Sequence, residues 1–87
     1  MLEYKIVEVF FEKIINDFIQ VDNSKLTIKN EDELMDYLSP ISLLVVVCML
    51  EKEFGIAFKN NDITYENFRS KNSLIKLILK IENEKIN

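Results

Sequence analysis

The sequence predicts a small all-helical bundle, and three observations carry that reading. Apolar residues recur three and four positions apart in several segments of its 87 residues. Helix start and stop residues bracket the best of these segments. Only one Gly and one Pro occur in the whole chain, too few for the many tight turns of a sandwich or barrel.

The first segment runs from Glu3 to Ile19. Val7, Phe10, Phe11, Ile14, Ile15 and Phe18 fall on one helical face, widened by Ile6 and Val9, with Glu8, Glu12, Lys13 and Asp17 opposite. Asp22 to Leu38 reads as a long connection. It starts with the turn cluster Asp22-Asn23-Ser24, with Leu26 and Ile28 as inward anchors. A short helical turn from Asn30-Glu31-Asp32-Glu33 leads through Leu34, Met35 and Leu38.

The next segment is the best defined. Ser39 is a good N-cap, and Pro40 suits the first helical position, where its missing N–H costs nothing. The helix continues to Phe54. Gly55 stands where a left-handed cap belongs, and Ile56 can fold back as its apolar partner. Val45-Val46-Val47 alone suggests a strand, but length and both caps outvote it. Asp62 to Phe68 reads as a short helix capped by Thr64 and anchored by Phe68. A last helix starts after Ser70, with Leu74, Leu77, Ile78 and Ile81 inward and Lys71, Lys76 and Lys80 outward. Asn83 to Asn87 reads as a frayed tail. The expectation is one domain over residues 1–87, with three longer helices, one short helix and a long first loop.

Composition narrows the function. The net charge is −4, and no basic stripe with interleaved aromatics favours nucleic acid. Met1 to Asp62 carries the acidic excess, and Ile63 to Asn87 has five bases against three acids. With no His and one Cys, a zinc site, an internal disulfide and a His-based catalytic triad all drop out. The longest apolar run, Leu43 to Leu50, is too short for a membrane span. No signal peptide is visible, so a cytoplasmic location is expected. Glu51, Glu53, Asp32 and Glu33 read as solvated carboxylates, and the phenylalanines as packing. Cys48 lacks a neighbour that would activate its thiol and reads as a small apolar core or interface residue. An enzyme is not expected.

Leu38 to Phe58 resembles the second helix of acyl and peptidyl carrier proteins. That family shows a leucine, then Asp-Ser-Leu or Asp-Ser-Ile, then an apolar helix ending in Leu-Glu-x-Glu-Phe-Gly-Ile. Here the ending is Leu50-Glu51-Lys52-Glu53-Phe54-Gly55-Ile56. Asp62 to Ser70 is similar to the family's third helix, and the match covers Leu38 to Ile81. The resemblance implies an acyl-carrier-type four-helix bundle. It also implies a 4'-phosphopantetheine arm on a serine at the head of the second helix, where free N–H groups and the dipole favour a phosphate.

Counting back from Glu51, the family's aspartate falls on Ser39 and its serine on Pro40, which has no hydroxyl. Ser39 and Ser42 flank the gap and are the remaining candidates for the arm. Ser39 is already accounted for as a cap, and Ser42 as a plain serine in the first turn. The expectation is therefore no cofactor, and a binding or scaffold module in an acyl, polyketide or peptide assembly system. The alternative is a carrier with its arm on Ser39 or Ser42. In the family the outer face of this helix is acidic and docks partners. If Ile41, Leu44, Val47, Leu50 and Phe54 face the core, that outer face here holds Ser42, Leu43, Val45, Met49 and Lys52, next to Cys48. Leu43, Val45, Cys48, Met49 and Lys52 are then candidates for contact with a protein partner or a second copy.

Overall fold

The computed structural model describes residues 3–18 and 28–86. Four α-helices follow in order: α1 (Tyr4–Phe18), α2 (Pro40–Phe54), the single-turn α3 (Tyr65–Phe68) and α4 (Lys71–Ile86). Short 3-10 turns at Leu34–Asp36 and Asn60–Asp62 precede α2 and α3. No strand occurs among the described residues, so the all-helical expectation holds. Phe18's side chain, Leu26 and the Asp22-Asn23-Ser24 cluster lie outside the described residues. The expected frayed tail is instead helical as far as Ile86.

Both ends of α2 and the starts of α3 and α4 have a local cause. Ser39 takes an extended backbone, and its Oγ accepts the Ser42 N–H at 3.1 Å. At the other end Gly55 is left-handed at φ 62°. The Ile56 N–H returns to the Glu51 carbonyl at 3.0 Å, and Ile56 is buried, which is the expected cap. Lys85 Nζ adds a 2.7 Å bond to the Gly55 carbonyl. Thr64 caps α3 by accepting the Asn67 N–H, and Ser70 caps α4 by accepting the Ser73 N–H.

The core joins Val7, Phe11 and Ile15 of α1 to Leu43, Val46, Val47 and Leu50 of α2, and Leu74, Ile75 and Ile78 of α4. Ile28, Leu34 and Leu38 of the connection are also buried in it. Phe10 packs edge-on against Phe54 at 5.6 Å between ring centres, and Phe58 against Phe68 at 5.4 Å. Two backbone bonds tie the connection to the α3–α4 junction: Leu34 N–H to the Arg69 carbonyl, and Asn72 N–H to the Asn30 carbonyl.

Two packing expectations are corrected. The inward face of α2 is Leu43, Val46, Val47 and Leu50, while Ile41 and Leu44 face solvent. At about 100° per residue the expected face would have carried Glu51 at its centre, and burying that carboxylate unpaired costs several kcal/mol. The observed face turns Glu51, Lys52 and Glu53 away from the core.

The second correction is Lys71. Instead of pointing outward it is only 3% exposed. Its Nζ lies 3.0 Å from Glu8 Oε2 and 3.1 Å from Glu12 Oε1. Glu8 and Glu12 stand four apart on α1, so both reach the first turn of α4. Burial works to lower the Lys71 pKa, but hydrogen bonds to the two carboxylates outweigh it and hold it above its ordinary value. The Lys71 bond in turn holds the Glu8 carboxyl below the usual range.

This clamp makes stability depend on pH in a definite direction. A lowered Glu8 pKa contributes stability above the ordinary carboxylate range, and that stability is lost as pH falls through the lowered pKa. The raised Lys71 pKa leaves its share intact until strongly alkaline pH. Lys71→Met should lower the unfolding free energy by about 1–2 kcal/mol near neutral pH, less than for a fully buried pair because Glu12 stays half-exposed. Urea unfolding should show this gap at about pH 7 and a smaller one at about pH 3. A gap independent of pH would mean that Lys71 acts by packing alone.

Candidate functional site

The site built from the sequence centres on the head of α2 and its outer face. At the head, Ser39 and Pro40 are exposed and Ser42 is half-buried. Ser39 Oγ accepts the Ser42 N–H at 3.1 Å and donates to Ser42 Oγ at 3.0 Å. The Ser39 carbonyl accepts the Leu43 N–H at 2.9 Å, closing the first turn. Both serine hydroxyls are thus engaged with each other. Pro40 offers no donor and no nucleophile at the position between them.

The outer face departs from expectation in one residue and gains two. Leu43, expected to point outward, is only 8% exposed and belongs to the core. Val45 and Met49 are exposed as expected, at 40% and 41%. Cys48 and Lys52 are exposed as well. The sequence reading missed Ile41, 76% exposed, and Leu44, 58% exposed. The signal lay in Glu51-Lys52-Glu53. Three consecutive charges centre a helix's solvent side on the middle one. Stepping back from Lys52 by four, seven and eleven gives Cys48, Val45 and Ile41.

Those residues form a line diametrically opposite the core, flanked by Leu44 and Met49. Five of its six side chains are apolar. The strip is about 17 Å long at 1.5 Å per residue. Exposed apolar residues are normal singly, but a continuous outward strip on a helix already buried on its other side is the pattern of a contact surface.

The carboxylates read as solvated have structural partners in three of four cases. Glu51 Oε2 accepts the Phe58 N–H at 2.8 Å. Asp32 Oδ2 accepts the Lys29 N–H and the Tyr37 hydroxyl, which holds its pKa low. Glu33 accepts the Tyr65 hydroxyl at 2.9 Å and pairs with Arg69. Among the described residues no group of three or more His, Cys, Asp or Glu is placed to hold a metal. None of the helices is long and apolar enough to cross a membrane. An open groove of about 470 Å³ lies at the far end of α2, between Ile56, Lys59 and Asp62 on one side and Lys80, Ile81 and Lys85 of α4 on the other.

Ser39→Ala should remove the cap and lower stability by about 1 kcal/mol, with thermal unfolding as the readout. An unchanged midpoint would show that the Ser39 hydroxyl is not needed to start α2.

Neither a family model nor a curated protein matches the chain. Among solved structures, it is similar to a chain in the crystal structure of Bradyrhizobium japonicum glycine:carrier protein ligase complexed with glycylated carrier protein. The TM-score is 0.73 and the identity 19%, over 83% of this chain and 97% of that one. At that identity the similarity is one of fold. This chain has a small, carrier-protein-like helical bundle fold.

Proposed function

We propose that the chain is a carrier-shaped docking module without a phosphopantetheine arm, working in an acyl, polyketide or peptide assembly system. The observation that carries this reading is the division of α2. Its head keeps the helix start and has no hydroxyl at Pro40. Its outer face offers Ile41, Leu44, Val45, Cys48 and Met49 to a protein partner. Without an arm the chain lacks the family's means of carrying a thioester, and its exposed apolar face supports a role in binding.

A second reading is a functional carrier with 4'-phosphopantetheine on Ser39 or Ser42. One observation favours it: Ser39 is exposed at a helix head, where an attached phosphate would meet the dipole's positive end. Against it, the Ser39 hydroxyl is already the cap, and Pro40 stiffens the backbone beside it.

Intact mass after incubation with coenzyme A and a broad-specificity phosphopantetheinyl transferase separates the two. The chain should keep its mass, and Pro40→Ser should gain about 340 Da, the mass of the arm. A gain by the native chain that Ser39→Ala abolishes would overturn the armless reading. For docking, a photo-crosslinking amino acid in place of Leu44, used in the protein's own cells, should give a discrete protein adduct that Val45→Glu suppresses. No adduct would count against docking through this face.

A further inference from the structure

We propose that the stretch from Lys29 to Leu38 is a strap that opens as one unit, ahead of global unfolding, with the Glu33–Arg69 ion pair as its salt-sensitive latch. The strap is independent of the docking reading above, since none of its residues belongs to the outer strip of α2.

The strap is braced within itself. Asp32 Oδ2 accepts the Lys29 N–H at 3.0 Å and the Tyr37 hydroxyl at 2.8 Å, so one carboxylate joins the two halves of the stretch. The Asp32 N–H returns to the Lys29 carbonyl, and the N–H groups of Asp36, Tyr37 and Leu38 return to the carbonyls of Glu33 and Leu34. A segment bonded to itself in this way comes loose as a piece. Within it only Leu34 and Leu38 are buried in the core, fewer anchors than α1, α2 or α4 supplies. The strap therefore belongs to the low-stability end of the molecule.

Its outward ties land on one short stretch, Tyr65 to Asn72. The Leu34 N–H meets the Arg69 carbonyl at 2.8 Å, and the Asn72 N–H meets the Asn30 carbonyl at 3.0 Å. Asn72 Nδ2 donates to Glu31 Oε1 at 2.8 Å. Glu33 accepts the Tyr65 hydroxyl at 2.9 Å and lies 3.0 Å from Arg69 Nε.

Among these ties the Glu33–Arg69 pair is the latch. Arg69 Nε is itself buried and has no other partner among the described residues, so Glu33 alone compensates it. A buried charged group that loses its one partner is costly. Yet the two side chains as a whole are 35% and 38% exposed, so mobile ions reach the pair. The screening length falls from about 10 Å at 0.1 M salt to about 3 Å at 1 M, which matches the separation of the two charges. Salt therefore loosens the latch while leaving the apolar core unaffected.

Native-state hydrogen exchange of the full chain tests this. The Leu34 and Asn72 N–H groups report the strap, because each bond crosses its edge. Asn72 lies in the first turn of α4, where no helix carbonyl is available to its N–H. Val47 and Ile78, inside α2 and α4 and buried, report the body of the molecule. Leu34 and Asn72 should share one opening constant and exchange at least about tenfold faster than Val47 and Ile78. Glu33→Gln should speed both strap groups by about tenfold and leave Val47 and Ile78 unchanged. Raising salt from about 0.05 M to about 1 M should speed both by about threefold in the native chain and change neither in Glu33→Gln. Different opening constants for Leu34 and Asn72, or exchange no faster than at Val47, would overturn the strap. A Glu33→Gln effect on all four groups or on none, a native strap indifferent to salt, or a salt effect that persists in Glu33→Gln would overturn the latch.

Discussion

The rotation of α2 about its own axis is the constraint on which the rest of the molecule depends. Leu43, Val46, Val47 and Leu50 are buried together, each side chain worth about 1.5–3 kcal/mol on leaving water. Once they are inward, a period of 3.6 residues leaves Ile41, Val45, Cys48 and Lys52 outward. The helix is apolar almost all round, so hydrophobicity alone does not choose its phase. The three charges Glu51-Lys52-Glu53 choose it, because only one rotation keeps all of them from being buried unpaired. The exposed strip is therefore a consequence of where the charges sit.

The ends of α2 were legible in the sequence because they are decided locally. Ser39, Pro40, Gly55 and Ile56 act within a few residues of one another, and the structure has the cap geometry their identities imply. Thr64 and Ser70 were legible for the same reason. What the sequence hid was decided at a distance. Lys71 looked like an outward lysine on a helix with an apolar stripe. Its partners Glu8 and Glu12 lie about sixty residues away, and no local pattern reports that meeting. Ile75 was missed similarly. It lies beside the stripe of Leu74, Leu77, Ile78 and Ile81, yet is fully buried, because α4 packs against both α1 and α3. Of the site, the missing hydroxyl at Pro40 was plain from the sequence, whereas Leu43 and Leu44 exchanged places once the phase of α2 was known.

The fold separates two properties that α2 combines in one element. Its head is held by a cap and a proline, which set the helix start without any chemistry on the side chains. Its flank is held by the core behind it and presents an apolar strip in front. The Lys71 clamp fixes α1 against α4, and the two backbone bonds tie the first connection to the α3–α4 junction. The strip thus stands on a braced scaffold, which lowers the ordering cost of any contact made there. Under the proposed function, Pro40 removes the arm while the surface beside it is kept for binding.

The most direct measurement of the central claim, that the outer face of α2 is a contact surface, is methyl NMR of the labelled chain through a series that first raises its own concentration and then adds increasing amounts of extract from its own cells. The expected result is concentration-dependent shifts in the methyl signals of Ile41, Leu44, Val45 and Met49, all fitting one dissociation constant. The methyls of Val46 and Leu50, on the same helix but facing the core, should barely move. Signals that hold still across the series, or shifts that fall on α1 or α4 instead, would contradict it.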